Sequence, residues 1–338
     1  MKSVKVPLNQ LNDTRIRLMD MGIMNMEYKI KAEEKFGYVP INNDIEGYEI
    51  VDIDLEPIKQ HPKSFAELLK DELSEDEIET LRTSFDTIGE IVILEIPDNL
   101  EDKKQIIGDA ALEFTKRRSV FMKKSAIKGT TRVRDLEFLS GIDDSVTIHK
   151  EHGARLKLDV REMYFSPRLA TERKRVMESV NDGEKILDMF CGIGPFPIVI
   201  ARNKNVDITA VDINESAIRY LKENIKMNKL KGSIETYTGD IAVVSNAFKT
   251  KFDRIIMNLP GLAYTFLDLA VDLIEEDGII NYYEFSDSYE QGINRLKNAC
   301  LKKNKKVEII NTRKVKSTSP GEWHMAIDGK VTSEMIMS

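Results

Sequence analysis

The pattern of hydrophobic positions is clearest in the second half of the chain. Short apolar runs there have the length of buried strands, and apolar residues between them recur at helical spacing, as in the helix that follows Asn214. Strands that alternate with helices in this way predict a mainly parallel, doubly wound α/β sheet over 166–338. The strands expected there are 185–189, 206–211, 252–257, 278–285 and 306–311.

Before residue 166 the pattern changes between two periods. Residues 48–55 alternate polar and apolar positions, which is typical of a half-buried strand, and 102–117 repeat apolar residues at helical spacing. This mixture predicts two smaller α+β domains, 1–62 and 63–165, in front of the doubly wound domain at 166–338. Further strands are expected at 4–6, 89–96, 120–123, 131–134, 146–149 and 155–160.

Composition narrows the class of protein. The chain has 338 residues, of which 41% are hydrophobic and 32% charged, so it is long enough for several packed cores. No apolar run approaches the roughly 18 residues of a membrane-spanning helix, and the first residues contain no apolar signal segment. Cys191 and Cys300 are too few for a disulfide framework or a four-cysteine zinc site. We therefore expect a soluble, cytoplasmic protein without a membrane partner.

The net charge of −7 conceals two basic stretches. Residues 44–80 contain 13 acidic residues and 3 lysines or arginines, whereas 113–135 contain 8 basic and 2 acidic residues. A second basic stretch, 295–316, contains 9 basic residues and 1 acidic residue. A local basic face matters more than the total charge for binding phosphates, although ordinary solvated surfaces produce the same pattern. The two stretches are candidates for contact with a nucleic acid.

A glycine-containing loop opens the doubly wound domain. Residues 188–196 (Asp-Met-Phe-Cys-Gly-Ile-Gly-Pro-Phe) lie between an expected strand and an expected helix. Asp212 ends the next strand, where a carboxylate can accept both hydroxyls of a ribose. Asp240 follows the third strand and Asn258 the fourth. Because ligands of such sheets bind at the carboxyl ends of the strands, we expect these groups to form one site.

The loop fits neither a dinucleotide fingerprint nor a P-loop. Gly194 is followed by Pro195 and Phe196, so the third fingerprint glycine is missing, and the segment contains no P-loop lysine. The order Asp-x-Phe-x-Gly-x-Gly, acid, Gly-Asp and Asn-x-Pro resembles class I S-adenosylmethionine-dependent methyltransferases. A generic doubly wound domain with a glycine turn is the alternative. We expect S-adenosylmethionine as the cofactor.

The sequence Asn-Leu-Pro-Gly at 258–261 indicates the methyl acceptor. In N-methyltransferases such a tetrad holds a planar nitrogen beside the methyl donor, and amino methyltransferases usually have an aromatic residue in the fourth position. That position is Gly261 here, which favours a ring nitrogen over an exocyclic amino group.

Methyl transfer to a ring nitrogen such as guanine N1 requires two further groups. A base must take the proton, and a cation must stabilise the charge that develops on O6. The helix expected after Pro167 places Arg168 and Glu172 one turn apart on a shared face. That spacing fits catalytic groups, but spacing alone favours a surface salt bridge of little energetic value.

Three segments together resemble one family. Phe-Ser-Pro-Arg-Leu-x-x-Glu-Arg at 165–173, the loop at 188–196 and Met-Asn-Leu-Pro at 257–260 are similar to the archaeal and eukaryotic tRNA (guanine-N1)-methyltransferases that act on position 37, beside the anticodon. The resemblance spans the chain, with the more specific motifs after residue 165. It implies a Rossmann-like class I methyltransferase domain preceded by two smaller domains, and methyl transfer from S-adenosylmethionine to N1 of guanosine 37.

The resemblance also implies roles for single residues. Glu172 matches the proposed general base, and Arg132 matches the arginine that stabilises charge on the guanine, with Arg134 as its rival. Asn258 and Pro260 match the pair that lines the base and the methyl donor. Arg168 is implied as a further substrate contact in the same region. The implied cofactor contacts are Tyr164, Arg173, Gly192, Asp212, Ile213, Asp240, Ile241, Asn258 and Pro260.

A tRNA partner follows from the same resemblance. The first domain would recognise the tRNA elbow, and the other two would hold the anticodon arm, where the stretches 113–135 and 295–316 could contact phosphates. A monomer without an obligate protein partner is implied. Two alternatives stay open: a wyosine-pathway or dual-activity tRNA methyltransferase, and a tRNA-binding protein without catalytic activity.

Cys191 and the segment 149–152 (His-Lys-Glu-His) carry reactive side chains, but neither predicts a reactive site. Carbon-5 pyrimidine methyltransferases use a cysteine after the fourth strand, where this chain has Leu-Pro-Gly, so we interpret Cys191 as a packing residue. We place 149–152 in a turn between strands, without further ligands nearby, and expect no metal site.

Overall fold

The computed structural model describes residues 1–58, 62–124, 135–319 and 321–333. The chain divides into two compact units, Met1–Glu67 and Leu68–Ser338. In the described ranges, no helix has both the length and the apolar character needed to cross a membrane.

The first unit contains an antiparallel sheet of four strands and one helix. Its strands lie in the order β2-β3-β1-β4, and Leu18 of the helix packs with Val4 and Val39 in a small core. The strand expected at 48–55 is present over its first half only. The elements are β1 (Lys2–Pro7), α1 (Leu11–Asp20), β2 (Lys31–Ala32), β3 (Phe36–Pro40) and β4 (Glu49–Asp52).

A second sheet of four strands begins the other unit. Its elements are α2 (Glu75–Thr80), β5 (Asp86–Ile88), β6 (Ile91–Leu94), α3 (Lys104–Thr115), β7 (Ser119–Lys123) and β8 (Leu136–Gly141). The strands lie in this same order, with β6 and β7 parallel and the other pairs antiparallel. The strand expected at 131–134 lies outside the described residues.

A β-hairpin follows, formed by β9 (Val146–Glu151) and β10 (Ala154–Asp159). Leu156 and Leu158 of β10 belong to the hydrophobic core of the doubly wound sheet. The expectation that 149–152 forms a turn is wrong for its first three residues, which continue β9; His152 alone lies in the turn, with φ of 46°. The strand continues because the Glu151 side chain is buried and bound by a partner described below.

A sheet of seven strands forms the rest of the unit, in the order β13-β12-β11-β14-β15-β17-β16. The first five strands are parallel, whereas β17 is antiparallel to both neighbours, which confirms the mainly parallel sheet. The elements are α4 (Ala170–Ser179), β11 (Lys185–Asp188), α5 (Pro195–Asn203), β12 (Asp207–Asp212), α6 (Glu215–Met227), β13 (Ser233–Thr238), α7 (Ile241–Val244), β14 (Phe252–Met257), α8 (Leu267–Leu273), β15 (Ile274–Ser286), α9 (Tyr289–Lys302), β16 (Lys305–Ser319) and β17 (Glu322–Ser333).

Helices cover both faces of this sheet, as a doubly wound fold requires. On one face Val176 of α4 and Ile200 of α5 pack against strand residues such as Ile186. On the other face Val271 of α8 and Leu296 of α9 share a core with Leu187 and other strand residues. The carboxyl ends of β13, β12, β11 and β14 therefore meet at one open edge.

Candidate cofactor and substrate site

A cavity of about 230 Å³ lies at the carboxyl edge of the seven-stranded sheet. It is bounded by the loop after β11, the ends of β12, β13 and β14, and the segment that leads into α4. The structure thus brings the groups at four strand ends into one site, as their order in the sequence predicts. All the residues expected to contact the cofactor line it: Tyr164, Arg173, Gly192, Asp212, Ile213, Asp240, Ile241, Asn258 and Pro260.

Asp212 is held by the glycine loop. Its Oδ2 accepts a hydrogen bond from the backbone N–H of Gly192 at 2.7 Å, and its Oδ1 accepts one from Asn214 at 2.9 Å. Burial raises the pKa of Asp212, while these two N–H groups act in the opposite direction. Each oxygen keeps a further lone pair, so the oriented carboxylate can accept hydrogen bonds from a pair of hydroxyls.

The glycine loop leaves its backbone open to a ligand. Gly192 and Gly194 have φ of 53° and 83°, the left-handed region that favours glycine. A Cβ on Gly194 would collide with the Leu221 side chain, whereas one on Gly192, which lines the cavity, would meet no atom within 4 Å. Phe190 and Phe266 form an aromatic part of the wall, with ring centroids 5.2 Å apart. Free backbone, aromatic rings and a carboxylate for hydroxyls fit a nucleoside-bearing cofactor.

Asn224 fixes the position of this loop from below. Its side-chain amide donates to the carbonyls of Ile193 and Lys157, at 3.1 Å each, and its Oδ1 accepts from the N–H of Lys157 at 2.7 Å. The side chain is fully buried in α6. It therefore joins the glycine loop to β10, a connection that no motif in the sequence indicates.

Arg173 lines the cavity while its guanidinium is bound from behind by Glu151. Nε and Nη2 donate to the two carboxylate oxygens at 2.5 and 2.6 Å, and Nη2 also donates to the Ser166 carbonyl at 3.1 Å. Burial acts to raise the pKa of Glu151, but hydrogen bonds from His149 and Arg173 outweigh it and lower this pKa below its usual value. Sequence reasoning missed Glu151 as part of the site, although an acidic residue beside two histidines was the available signal.

Asn258 and Pro260 form the wall next to the open mouth. Pro260 accepts a hydrogen bond from the N–H of Phe285 at 3.3 Å, and the Leu259 carbonyl accepts from Ala263 at 2.7 Å, so the loop is tied to β15 and to the following helical turn. A Cβ on Gly261 would meet no atom within 4 Å. Where an aromatic side chain would stand in an amino methyltransferase, this chain has free space.

Glu172 lies outside the cavity, although its expected role as general base would place it beside the substrate. Its carboxylate is 1% exposed and does not line the cavity. Arg175 donates to both oxygens, at 2.6 and 3.0 Å, and the Tyr283 hydroxyl donates to Oε1 at 2.8 Å. Arg175 also donates to Asp328 at 2.6 Å, so it bridges two buried carboxylates.

Arg168 and Glu172 do not form a pair on a shared helix face, contrary to our expectation. Arg168 lies in a 3₁₀ turn, Pro167–Leu169, before the α-helix begins, and its Nε donates to Asp86 of β5 at 2.6 Å. It is about half exposed and lines a neighbouring cavity. Arg132 and its rival Arg134 lie outside the described residues.

Two further groups near the loop carry no catalytic chemistry. Burial raises the pKa of the Cys191 thiol well above its usual value, so the thiol is not poised as a nucleophile, which agrees with its interpretation as a packing residue. Burial also raises the pKa of Asp188 to about 8. Within the described ranges no group of three or more His, Cys, Asp or Glu side chains is arranged to hold a metal ion.

His324 is among the wall residues that were not predicted from the sequence. It lies on β17, is buried and lines the cavity beside Phe285 of β15, with ring centroids 5.6 Å apart. The antiparallel register of these two strands pairs Phe285 with His324 directly.

Three family models match successive parts of the chain. The tRNA methyltransferase 5 N-terminal domain matches residues 3–49, the TYW2 N-terminal domain matches 65–145, and the TRM5/TYW2 methyltransferase domain matches 147–310.

Characterised relatives match over nearly the full length. The tRNA (guanine(37)-N(1))-methyltransferase Trm5b of Pyrococcus abyssi is 40% identical over 334 residues, covering 98% of this chain and 99% of that protein. The protein of the same name from Methanocaldococcus jannaschii is 37% identical over 343 residues, with the same shares covered. A tRNA(Phe) (4-demethylwyosine(37)-C(7)) aminocarboxypropyltransferase of M. jannaschii is 34% identical over 253 residues, covering 73% of this chain and 97% of that protein.

Solved structures agree with this assignment. The crystal structure of P. abyssi Trm5b superposes with a TM-score of 0.84 at 40% identity, covering 98% of this chain and 99% of the other. A complex of aTrm5 with tRNALeu gives 0.80 at 36% identity over the same shares. M. jannaschii Trm5 in complex with adenosine gives 0.69 at 35% identity, covering 98% and 100%. With matches of this extent in both sequence and structure, the chain belongs to the TRM5/TYW2 methyltransferase family.

Proposed function

We propose that this protein transfers a methyl group from S-adenosylmethionine to N1 of guanosine 37 in tRNA. The observation that carries the proposal is one cavity that combines the oriented Asp212 carboxylate with Asn258 and Pro260 of the Asn-Leu-Pro-Gly segment. The full-length relatives are named for this reaction, and two structural neighbours contain tRNALeu and adenosine. When bound, S-adenosylmethionine supplies the methyl group as an electrophilic sulfonium.

Each wall of the cavity has a part in binding that cofactor. Asp212 would accept the ribose hydroxyls, and the open backbone of Gly192 would allow close approach of the sugar. Ile213, Asp240 and Ile241, at neighbouring strand ends, would hold the rest of the nucleoside. Tyr164 and Arg173 line the same cavity and would complete the cofactor site, with Glu151 holding the arginine in place.

At the acceptor end, Asn258 and Pro260 position the guanine. The side-chain carbonyl of Asn258 is an acceptor for N–H groups of the base. Arg132, by family resemblance, supplies the positive charge toward O6. Glu172 takes the N1 proton, which requires its buried carboxylate to exchange hydrogen bonds from Arg175 and Tyr283 for a position in the cavity. Asp328 already binds Arg175 and offers it an alternative partner. Transfer is direct, without a covalent intermediate on the protein.

The proposal also covers the parts of the tRNA that each domain contacts and the state in which the protein acts. The first domain, 1–62, recognises the tRNA elbow, and the domains 63–165 and 166–338 hold the anticodon arm. The protein acts as a cytoplasmic monomer without an obligate protein partner. A wyosine-pathway activity has less support, because the aminocarboxypropyltransferase relative covers 73% of this chain, against 98% for the N1-methyltransferases.

The test uses unmodified tRNA transcripts with guanosine or adenosine at position 37, labelled S-adenosylmethionine and nucleoside mass spectrometry. We expect 1-methylguanosine only from the guanosine transcript, and a loss of about 10²–10⁴-fold in kcat for Glu172→Gln. Glu178→Gln is the matched control, since Glu178 lies on the exposed side of the same helix, paired with Lys174. Cofactor binding without label in any transcript would refute the proposed reaction and leave a tRNA-binding protein or a wyosine intermediate as substrate.

A further inference from the structure

A second cavity of about 310 Å³ adjoins the cofactor cavity. The two share Tyr164, Ser166 and Phe285 in their walls. The wall of the second cavity includes residues of the sheet formed by β5 to β8 and residues at the end of β16. A ligand in this space would lie directly beside whatever occupies the cofactor cavity.

Two of the three cations in its lining are neutralised by carboxylates. Arg168 donates to Asp86 at 2.6 Å. Lys123 lies between Asp86 and Glu95, at 3.6 and 3.5 Å. Glu95 is bound in addition by Arg82, which lies outside the lining. The acidic side chains of this cavity are therefore fully engaged.

Lys316 of β16 is the third cation, and its surroundings differ. Its Nζ donates to the Tyr164 hydroxyl at 3.2 Å and to the Ser166 hydroxyl at 3.3 Å, both neutral groups. In the part of the chain that the structure describes, no carboxylate oxygen lies within 4.0 Å of Lys316 Nζ, the distance that defines an ion pair. The side chain is half-buried, so its position is restricted while its charge faces the cavity.

We propose that Lys316 is a substrate-positioning residue, whose ammonium binds the backbone phosphodiester of the nucleotide that presents its base to the cofactor cavity. This inference rests on the proposed function. An uncompensated ammonium attracts an anion, and the anion that an RNA substrate brings to every nucleotide is its phosphate. Ser317 and Thr318 follow in the same lining, but their hydroxyls donate to the Ser319 carbonyl and to Glu322, so Lys316 is the group that offers hydrogen atoms to an anion.

The position of Lys316 explains why the contact would belong to the target nucleotide. Its two hydrogen-bond acceptors, Tyr164 and Ser166, form the boundary between the cavities. A phosphate bound here fixes the ribose at this boundary, so the base can enter only toward Asn258 and Pro260 on the other side. The lysine therefore positions the acceptor and does not take part in methyl transfer.

The experiment compares Lys316→Met and Lys316→Arg with the wild type, using unmodified tRNA. We expect Lys316→Met to weaken tRNA binding and raise KM by about tenfold, and to reduce the slope of log Kd against log salt by about 0.7–1. The kcat and the affinity for S-adenosylmethionine should not change, and Lys316→Arg should restore most of the binding. Lys330→Met is the control, because Lys330 lies outside both basic stretches, lines neither cavity and is exposed and paired with Asp277.

A chemical change in the RNA identifies the group that Lys316 binds. A neutral methylphosphonate at either linkage of nucleotide 37 should weaken binding to the wild type, and the same change should have no further effect on Lys316→Met. Unchanged Kd and salt slope in Lys316→Met would overturn the inference, as would a loss confined to kcat, which places the lysine against O6 instead. If the wild type binds tRNA but transfers no methyl group, the proposed reaction fails while the binding role of Lys316 is still decided by these measurements.

Discussion

Arg173 donates two hydrogen bonds to Glu151, at 2.5 and 2.6 Å, and both side chains are buried. The pair connects the helix in front of the seven-stranded sheet with the hairpin before it, 22 residues earlier in the chain. The guanidinium also reaches the cofactor cavity. One ion pair therefore links the stability of this region to the shape of the binding site.

Glu151→Gln should weaken both the stability of the protein and its binding of the cofactor. The substitution leaves the Arg173 guanidinium buried without a counter-charge, and breaking a buried pair in this way lowers the free energy of unfolding by about 3–5 kcal/mol. We also expect the affinity for S-adenosylmethionine to fall by about tenfold or more, since the arginine loses its fixed position. Denaturant unfolding and titration calorimetry measure the two effects.

The control for that prediction is Glu223→Gln, which breaks the half-exposed pair between Glu223 and Lys157. A pair of this kind contributes about 0–1 kcal/mol. If Glu151→Gln cost no more than this and bound the cofactor normally, the buried pair would have no role in the site.

Asn224→Ala should loosen the glycine loop. The substitution leaves the Ile193 and Lys157 carbonyls and the Lys157 N–H without their partner inside the protein, at a cost of about 2–4 kcal/mol in the free energy of unfolding. Because the loop carries Gly192, the Kd for S-adenosylmethionine should rise as well. Both quantities are measured on the purified variant.

Asn228→Ala is the matched control, at the residue that caps the C-terminus of the same helix. Asn228 makes the same pair of hydrogen bonds to the backbone of Arg155, at 2.8 and 2.9 Å, but at an exposed site where water can replace them. A smaller loss of stability and unchanged cofactor binding are expected. Equal effects of the two variants would contradict a specific role for Asn224.

Asp188 should make stability depend on pH. Burial raises its pKa to about 8, opposed by a hydrogen bond from Phe190 and reinforced by the charge of Asp212. The folded protein therefore retains a proton that the unfolded chain releases near pH 4, so the free energy of unfolding falls as pH rises from about 4 to about 8. The slope is at most about 1.4 kcal/mol per pH unit for one proton.

Asp188→Asn removes this proton and should flatten the decline in that window. Denaturant midpoints from pH 4 to pH 9 for both proteins provide the measurement. Parallel curves for the variant and the wild type would show that Asp188 is ionised in the folded protein throughout.

Gly261→Tyr should obstruct the acceptor end of the cavity. Gly261 directly follows Pro260, which lines the cavity, and a Cβ on Gly261 would meet no atom within 4 Å, so the fold and the affinity for S-adenosylmethionine should stay within about twofold of the wild type. A ring beside Pro260 would compete with the base for space, and methyl transfer should fall by at least about 10²-fold. Gly261→Ala is the control, and it should retain most of the activity. Full activity of the tyrosine variant would place the path of the base elsewhere.

The groups that could be predicted from the sequence are those fixed by short-range order. Asp212 ends a strand, Asp240 and Asn258 each come just after one, and parallel strands bring their carboxyl ends together whatever the loop lengths. This rule does not apply to antiparallel strands, because their register depends on pairings made by the complete chain. It therefore gave no indication that His324 faces Phe285.

Pairs across separate elements were missed for the same reason. The turn expected at 149–152 includes Glu151, but this residue is the last of β9 and its partner Arg173 is 22 residues away in the chain. Glu172 and Arg168 were related by helical spacing, but the 3₁₀ turn rotates Arg168 away toward Asp86. Local periodicity cannot report a change of helix type or a buried partner from another sheet.

The position of β17 between β15 and β16 has a consequence for synthesis on the ribosome. Since β16 joins the sheet only through β17, a nascent chain that ends before Glu322 has five parallel strands in place but a β16 without a neighbour. His324 and a fixed Lys316 are then both missing from the walls of the two cavities. The growing polypeptide thus gains the glycine loop well before the walls of the two cavities are complete. Both cavities reach their final form only when the last strand of the sheet has emerged.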